Sequence, residues 1–232
     1  MIKNKYLLTM KSHWFVNQVT YKAILKTLPM LTEHHEKRGV ERMPKTPIHN
    51  HVKRIFPDIY RVPLFRRQWC NLLCKQLDVF KKEGVFEVNP NEDELRQIPE
   101  ILLQDHMPEV YENLWYFVRT ILNPIFIAIY QRNCADISSI QIANYNIRDK
   151  QQGAWHHDES ADISVVVPLN TGSYKGGGTE FYDYGVLKPL PTGHGLIFPS
   201  FTNTHRGLPV EQGDRYLLVF WLHDKSRMKK LV

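Results

Sequence analysis

The stretch ISVVVPLNTGSYKGGGTEFY, residues 163–182, places an apolar run before a glycine-rich turn and a second short run. Short apolar runs rich in β-branched residues and bounded by Gly, Asn and Ser are typical of strands. The pattern continues on both sides, because ten of the twelve glycines fall between Gly153 and Gly213. We therefore predict an antiparallel β domain with tight connections, with strands at Ile140–Ile147, Ile163–Leu169, Thr179–Tyr182, Gly195–Pro199 and Tyr216–Leu222.

The residues before this β domain have mainly helical periodicity. Such helices leading into antiparallel strands indicate the α+β class, with the helices covering the outer face of a sandwich or barrel. The predicted elements are a helix over Trp14–Leu28 that ends at Pro29, a strand over Phe56–Val62, a helix with its apolar stripe from Leu64 to Phe80, and a helical stretch over Pro108–Tyr130 with a break near Pro124.

The positive charge of the chain is concentrated at its N-terminus. Residues 1–55 hold eleven Lys and Arg against three Glu, a net of +8, whereas residues 56–232 hold nineteen basic against twenty-one acidic residues, a net of −2. We predict a basic N-terminal helix and arm over 1–55, in which Glu33–Arg54 is a linker or an extended arm, and a catalytic domain over 56–232. A basic arm can hold nucleic acid through phosphate contacts, although a solvated extension or a partner-docking segment has the same composition.

Nothing in the sequence predicts a membrane segment or a secreted protein. The longest apolar runs, such as Ile125–Tyr130, are too short to cross a bilayer, and Met1–Met10 lacks the pattern of a signal peptide. Cys70, Cys74 and Cys134 are an odd number of cysteines, which we expect to be reduced thiols. We expect a soluble, cytoplasmic or otherwise intracellular protein, whose oligomeric state the sequence leaves open.

A candidate metal site lies in the β domain. His156 and Asp158 are separated by one residue, and His205 follows 47 residues after Asp158. Two imidazoles and one carboxylate can occupy one face of an octahedral metal and leave the other face open, which non-haem Fe(II) oxygenases require. Alternation along the chain turns His157 away from this set.

Arg215 follows His205 by ten residues. Its planar guanidinium can hold a carboxylate through two parallel hydrogen bonds. Gly213-Asp214 predicts a turn just before it, so Arg215 could enter the same cavity as the metal ligands on the final strand. The sequence thus permits one pocket with a metal triad at its mouth and a carboxylate-binding cation at its floor.

The linked motifs resemble a known family. AWHHDES (154–160), YKGGGTEF (174–181), THRGLP (204–209) and GDRY (213–216) match in order and spacing the Fe(II)- and 2-oxoglutarate-dependent dioxygenases. Among these, the chain looks most similar to the catalytic domain of procollagen lysyl hydroxylases and to prolyl 4-hydroxylases. The resemblance is dense from about Ile140 to Leu222.

The resemblance implies a double-stranded β-helix, a relative of the jelly roll. It implies His156, Asp158 and His205 as the Fe(II) ligands and as the catalytic site, Arg215 as the residue that binds 2-oxoglutarate, and ascorbate as the reductant that rescues oxidised iron. Tyr145 matches the position where relatives place a tyrosine that hydrogen-bonds the co-substrate, although Asn144 replaces the arginine that commonly precedes it. The implied reaction hydroxylates a C–H bond and releases succinate and CO₂.

The substrate stays open at this point. The resemblance favours a peptidyl lysine or proline, and Glu159, Asp162 and Asp183 near the predicted mouth could attract a lysine ammonium group. The basic arm offers a second hypothesis, a nucleobase flipped into the pocket, and a third is a non-catalytic cupin-like binding module. Aromatic residues in strands are more often core than entrance, which is our expectation for Trp155, Tyr182 and Tyr184.

Overall fold

The computed structural model describes residues 14–36, 44–91, 94 and 97–224. Its strands are β1 (Lys53–Phe56), β2 (Ile59–Pro63), β3 (Glu100–Leu102), β4 (Asp136–Asn146), β5 (Ile163–Pro168), β6 (Lys175–Gly176), β7 (Thr179–Phe181), β8 (Gly185–Leu187), β9 (His194–Pro199), β10 (His205–Gly207), β11 (Val210–Gln212) and β12 (Asp214–His223). Its helices are α1 (Gln18–Glu36), α2 (Arg67–Lys82), α3 (Leu103–His106), α4 (Pro108–Phe117) and α5 (Asn123–Tyr130), with a 3-10 turn at Pro47–Asn50 and a π turn at Val118–Leu122.

Antiparallel pairing joins seven of these strands into one sheet, in the order β1-β2-β9-β5-β12-β4-β3. A second sheet has the order β10-β7-β8, and β11 pairs with β6. The second sheet packs on the first through apolar side chains, with the rings of Phe181 in β7 and Phe198 in β9 centred 5.3 Å apart. The prediction of an α+β fold with antiparallel strands is confirmed, and each of the five predicted strands overlaps an observed one.

The two faces of β12 have different partners. Tyr216, Leu218 and Phe220 belong to the main core between the sheet and the helices, whereas Leu217 and Val219 belong to a second cluster on the opposite face. Successive side chains of a strand point to opposite faces, so this division follows directly from β12 being buried on both sides. The face that carries Leu217 and Val219 also carries Arg215.

The N-terminal segment contributes to the main core. The ring of Phe15 lies 5.8 Å from those of Phe65 and Phe117, and both Phe15 and Ile24 are fully buried in the main apolar cluster. Ile48 in the 3-10 turn is also buried, and its N–H donates to the hydroxyl of Thr27. The predicted division at residue 55 stays a prediction, and this packing determines the outcome we expect from truncation.

The prediction for α1 was wrong at both ends. The helix begins at Gln18 because the side chain of Asn17 accepts the N–H of Val19 at 3.0 Å and so caps it. It continues through Pro29 to Glu36. Pro29 cannot donate a hydrogen bond to the carbonyl of Leu25, but Leu25 lies on the exposed face of the helix, where water can bond to that carbonyl instead.

Two other predictions need correction. Phe56–Val62 is part of a hairpin and not one strand, because Asp58 adopts a left-handed backbone (φ 55) that reverses the chain between β1 and β2. The linker predicted over Glu33–Arg54 contains the end of α1, the 3-10 turn and the start of β1, while residues 37–43 lie outside the described part. No helix among the described residues has the length and apolar character needed to span a membrane.

Candidate metal centre

The backbones of His156 and His205 pair directly. Each residue donates its N–H to the carbonyl of the other at 3.0 Å, forming an isolated antiparallel bridge. Directly opposed residues in an antiparallel pair project their side chains from the same face. The two imidazoles therefore lie side by side, with ring centroids 4.4 Å apart.

Asp158 completes the group. Its carboxylate oxygens lie 3.4 Å from His156 Nε2 and 3.9 Å from His205 Nε2. One candidate ligand atom from each of the three residues lies within 4.8 Å of the others. The fold thus brings together all three predicted ligands, although His205 lies 47 residues after Asp158 in the chain.

Hydrogen bonds to the backbone orient both imidazoles. His156 Nδ1 lies 2.9 Å from the carbonyl of Ala154, and His205 Nδ1 lies 3.0 Å from the carbonyl of Asn203. A carbonyl only accepts, so Nδ1 carries a proton in each ring, and Nε2 is the nitrogen that can bind a metal in the neutral form. Metal-binding histidines are commonly fixed in this way, with the other ring nitrogen bonded to a carbonyl.

The protonation states of Asp158 and His205 also suit the binding of a metal cation. Burial raises the pKa of the Asp158 carboxyl, but His156, His205 and the Ser164 hydroxyl outweigh this and bring the pKa to about 2. Burial lowers the pKa of His205. At neutral pH the group therefore offers one carboxylate and a neutral imidazole at His205, as a divalent metal requires.

These residues fit Fe(II). Two Nε2 atoms and one carboxylate form the mixed set that non-haem Fe(II) oxygenases use, and the set leaves room for further ligands. A hydrogen bond orients the Asp158 carboxylate, because Ser164 Oγ donates to Asp158 Oδ2 at 2.5 Å. Ser164 Oγ also lies 2.8 Å from Ser200 Oγ. Neither serine was identified from the sequence, because neither is near Asp158 in a recognisable motif.

Arg215 and Tyr145 lie opposite each other on β12 and β4. The guanidinium carbon of Arg215 stands 5.3 Å from the centre of the Tyr145 ring. Arg215 is buried, and its Nε and Nη1 have no hydrogen-bond partner among the described residues. A buried cation with unsatisfied donors is costly unless a ligand pairs with it, so this guanidinium suits a bound carboxylate.

One cavity joins the two halves of the site. It has a volume of about 70 Å³, and its walls include His156, Asp158, His205, Tyr145 and Arg215. Gly207 makes room for the phenol: a Cβ at this position would lie 3.1 Å from the Tyr145 hydroxyl. The predicted arrangement of a metal triad and a basic residue around one cavity is present.

A wider cleft of about 330 Å³ adjoins the triad. Several of its lining residues were not identified from the sequence, among them Ile98, Glu100, Gln141 and Trp221. Glu100 Oε2 accepts a hydrogen bond from Gln141 Nε2 at 2.6 Å. Two of them could have been predicted from strand alternation. Gln141 lies on the same face of β4 as Tyr145, and Trp221 lies on the same face of β12 as Arg215.

The acidic residues predicted to lie near the mouth of the pocket are not all found there. Glu159 lines the cleft, but Asp162 is buried and accepts the N–H of Asp224 at 3.0 Å, so its predicted place at the mouth is wrong. Asp183 is exposed in the turn between β7 and β8, and is not among the described residues that line the cleft. His157 points away from the triad, as predicted, and its Nε2 lies 2.7 Å from Thr204 Oγ1.

The aromatic residues near the triad are not core residues, contrary to our expectation. Tyr182 is 71% exposed, and Trp155 and Tyr184 are each 36% exposed. Trp155 and Tyr182 contact each other edge to face, with centroids 5.7 Å apart, and Arg206 stacks on the Trp155 indole. Tyr182 and Tyr184 lie in the turn after β7, and Tyr184 stacks on Phe56 with ring centroids 5.3 Å apart.

Residues 140–223 match the sequence model of the 2OG-Fe(II) oxygenase superfamily. The chain is similar to this superfamily over its β domain. The match covers the loop that carries His156 and Asp158 and the strands that carry His205 and Arg215. This similarity implies Fe(II) as the metal and 2-oxoglutarate as the co-substrate, and the donor set above is suited to Fe(II).

Curated proteins similar to this chain include lysyl hydroxylases. The chain is 27% identical over 187 residues to the multifunctional procollagen lysine hydroxylase and glycosyltransferase of Caenorhabditis elegans, covering 74% of the chain and 25% of that protein. It is 26% identical over 193 residues to human procollagen-lysine,2-oxoglutarate 5-dioxygenase 2, covering 75% of the chain and 24% of that protein. The chain thus spans about a quarter of the length of these relatives.

Solved structures with a similar fold include prolyl hydroxylases. The Trichoplax adhaerens prolyl hydroxylase in complex with a hypoxia inducible factor peptide has a TM-score of 0.63 at 13% identity, over 96% of this chain and 98% of that one. The Pseudomonas putida prolyl-4-hydroxylase has a TM-score of 0.56 at 14% identity, over 71% and 92%. These similarities confirm the double-stranded β-helix, or jelly-roll, prediction.

Proposed function

We propose that this protein is an Fe(II)- and 2-oxoglutarate-dependent dioxygenase that hydroxylates a C–H bond of a peptidyl side chain, with lysine as the preferred residue. The observation that carries the proposal is the buried guanidinium of Arg215, whose Nε and Nη1 lack partners among the described residues. It lines the same cavity as His156, Asp158 and His205. A metal ligand set next to an unsatisfied cation suits a co-substrate that has both a chelating end and a distal carboxylate.

Each residue has a distinct task in this proposal. His156, Asp158 and His205 hold the metal, Arg215 binds the distal carboxylate of 2-oxoglutarate, and Tyr145 donates a hydrogen bond to the co-substrate. Fe(II) in this site would supply the O₂-activating chemistry, with 2-oxoglutarate converted to succinate and CO₂ and with ascorbate reducing iron that becomes oxidised. The protein orients the reactants and excludes water, since Asp158, His205 and Arg215 are all buried.

The lining of the cleft beside the triad is suited to a substrate with a cationic side chain. Its lining includes Glu100 and Glu159, and contains no Lys or Arg among the described residues. Ile98, Ala143 and Trp221 provide an apolar wall for an aliphatic stem. A carboxylate-lined cleft favours an ammonium group over the neutral proline ring and disfavours a polyanionic nucleic acid. The curated relatives are named as procollagen lysine hydroxylases, which agrees with this choice.

The nucleic-acid hypothesis has no support from the described part of the chain. It depended on the basic arm, and residues 1–13 and 37–43 lie outside that part. The alternative of a non-catalytic cupin-like module is disfavoured because both the metal ligand set and the unsatisfied guanidinium are present.

The test is a turnover assay with purified protein, Fe(II), 2-oxoglutarate and ascorbate. Matched peptides that differ only in a central lysine or proline are compared with a single-stranded DNA oligonucleotide, and mass spectrometry detects the addition of one oxygen atom. We expect succinate formation coupled to hydroxylation of the lysine peptide, and none with the His156→Ala variant. Coupled turnover of the proline peptide or the DNA alone would overturn the lysine assignment. The absence of 2-oxoglutarate decarboxylation would overturn the assignment as a dioxygenase.

A further inference from the structure

The peptide groups on both sides of Arg215 are held by a single side chain, that of Asn170. Asn170 Nδ2 donates to the carbonyl of Asp214 at 2.7 Å, and the N–H of Tyr216 donates to Asn170 Oδ1 at 3.1 Å. The first bond holds the peptide before Arg215 and the second holds the peptide after it. Asn170 itself lies in the turn that follows β5.

This contact replaces a missing part of the sheet. The ladder between β5 and β12 ends at the pair Pro168 and Leu217, and the last main-chain bond on this edge runs from Leu169 N–H to the carbonyl of Tyr216 at 3.0 Å. Beyond this point no strand of the described chain covers that edge of β12. The amide of Asn170 offers one donor and one acceptor, which are the two groups that an opposing strand residue would supply.

The side chain of Arg215 depends on its backbone for orientation. No acidic side chain in the described part fixes its Nε or Nη1. Its stem passes close to Gly177, where an added Cβ would lie 3.2 Å from Arg215 Cδ and 3.4 Å from Nε. The Tyr145 ring bounds it on another side, and Tyr145 is anchored to β12 by the β4 ladder. A small movement of β12 therefore displaces the guanidinium.

We infer that Asn170 is a positioning residue that sets the affinity for the co-substrate by holding the backbone at Arg215. The inference rests on the proposed function, because it takes the ligand of Arg215 to be the distal carboxylate of 2-oxoglutarate. A two-pronged bond between a guanidinium and a carboxylate requires a defined orientation, so loosening the backbone weakens it. The metal ligands lie on other segments and keep their geometry.

The test measures binding of 2-oxoglutarate by calorimetry to the Fe(II)-loaded protein without oxygen. In Asn170→Ala we expect the Kd for 2-oxoglutarate to rise about tenfold, equivalent to ~1.4 kcal/mol, while the Kd for Fe(II) stays unchanged. Asn170→Asp fills the same space but cannot donate to the Asp214 carbonyl at neutral pH, so it should lose affinity as well. Thr171→Val is the matched control, because it removes a bond from the same turn to the Leu190 carbonyl and none from β12.

The outcomes separate this inference from the proposed function. If the wild-type protein does not bind 2-oxoglutarate, the proposed function fails. If the wild type binds and Asn170→Ala or Asn170→Asp binds equally well, only the role of Asn170 is overturned. A general loss in Asn170→Ala, in which Tm and Fe(II) affinity fall together with 2-oxoglutarate affinity, would also overturn it, because the residue would then be merely structural.

Discussion

His156 and His205 exchange two main-chain hydrogen bonds of 3.0 Å each, and this pairing places their imidazoles on one side of the bridge. The geometry of the candidate metal centre is thus set by the backbone, with Asp158 added two residues after His156. The same pairing links the loop before β5 to the first residue of β10. Changes to these side chains should therefore alter metal binding without dismantling the fold.

Replacing any one ligand should abolish metal-dependent turnover. We expect His156→Ala, Asp158→Ala and His205→Ala each to lower Fe(II) affinity by more than about 100-fold, since loss of a supporting partner alone costs 10–100-fold. Calorimetric titration and succinate release measure the two effects, and wild type should bind one Fe(II) per chain. His157→Ala is the control and should retain binding, because His157 bonds to Thr204. Full activity in a ligand variant would show that the ligand set is wrong.

Ser164 should matter for metal affinity although it is not a ligand. Its hydroxyl donates to Asp158 Oδ2 at 2.5 Å, which orients the carboxylate. We expect Ser164→Ala to weaken Fe(II) binding by about 10–100-fold, the usual effect of removing such a partner. Ser164→Thr keeps the hydroxyl and serves as the comparison. Equal affinity in Ser164→Ala and wild type would mean that Asp158 is held by other contacts.

Arg215→Lys should weaken co-substrate binding selectively. A lysine keeps the positive charge but loses the two-pronged geometry, so the KM for 2-oxoglutarate should rise by about tenfold or more. Fe(II) binding, measured in parallel, should persist because Arg215 is not among the metal ligands. If the 2-oxoglutarate affinity does not change, another basic residue binds the distal carboxylate.

Two truncations should have different effects, because the N-terminal segment includes residues buried in the core. Phe15 and Ile24 are in the main core, so removing residues 1–55 should destabilise the protein, and Phe15→Ala alone should cost about 3–5 kcal/mol. Removing residues 1–13 should preserve decarboxylation of 2-oxoglutarate. Urea unfolding and the turnover assay measure the two properties. A stable, active protein that begins at Phe56 would support the predicted division at residue 55 and show that the α1 packing is dispensable.

The thiols on α2 should be unreactive in the folded protein. Burial raises the pKa of both Cys70 and Cys74 to about 12. Raising the pKa lowers the thiolate fraction, to about one part in ten thousand near pH 8, and the thiolate is the reactive form. Alkylation of the native protein should therefore be at least about 100-fold slower than in denaturant, and it should accelerate as the pH rises. Rapid labelling of native Cys70 would contradict this burial.

Local pattern was sufficient to predict the strands and to select the candidate ligand residues. The five predicted strands overlap β4, β5, β7, β9 and β12 because residue types that favour strands, and the glycines that end them, act over a few neighbours. His156, Asp158, His205 and Arg215 could be chosen for the same kind of reason: their chemistry is a property of residue type and spacing. The error at Pro29 arose because a local stop signal was outweighed by the packing of α1, including buried Leu31, on the core.

The order of the strands in the sheet decides which other residues complete the site. β12 lies between β5 and β4, and this order alone brings Asn170 to the backbone of Arg215 and Tyr145 to its side chain. Glu100 reaches the cleft because the edge strand β3 pairs with β4, and Asp162 is removed from it by its bond to Asp224. The sequence determined which chemistry the chain carries, because side-chain chemistry is local. Only the tertiary structure decided which partners surround it, because contacts between distant segments depend on how the strands are ordered and paired.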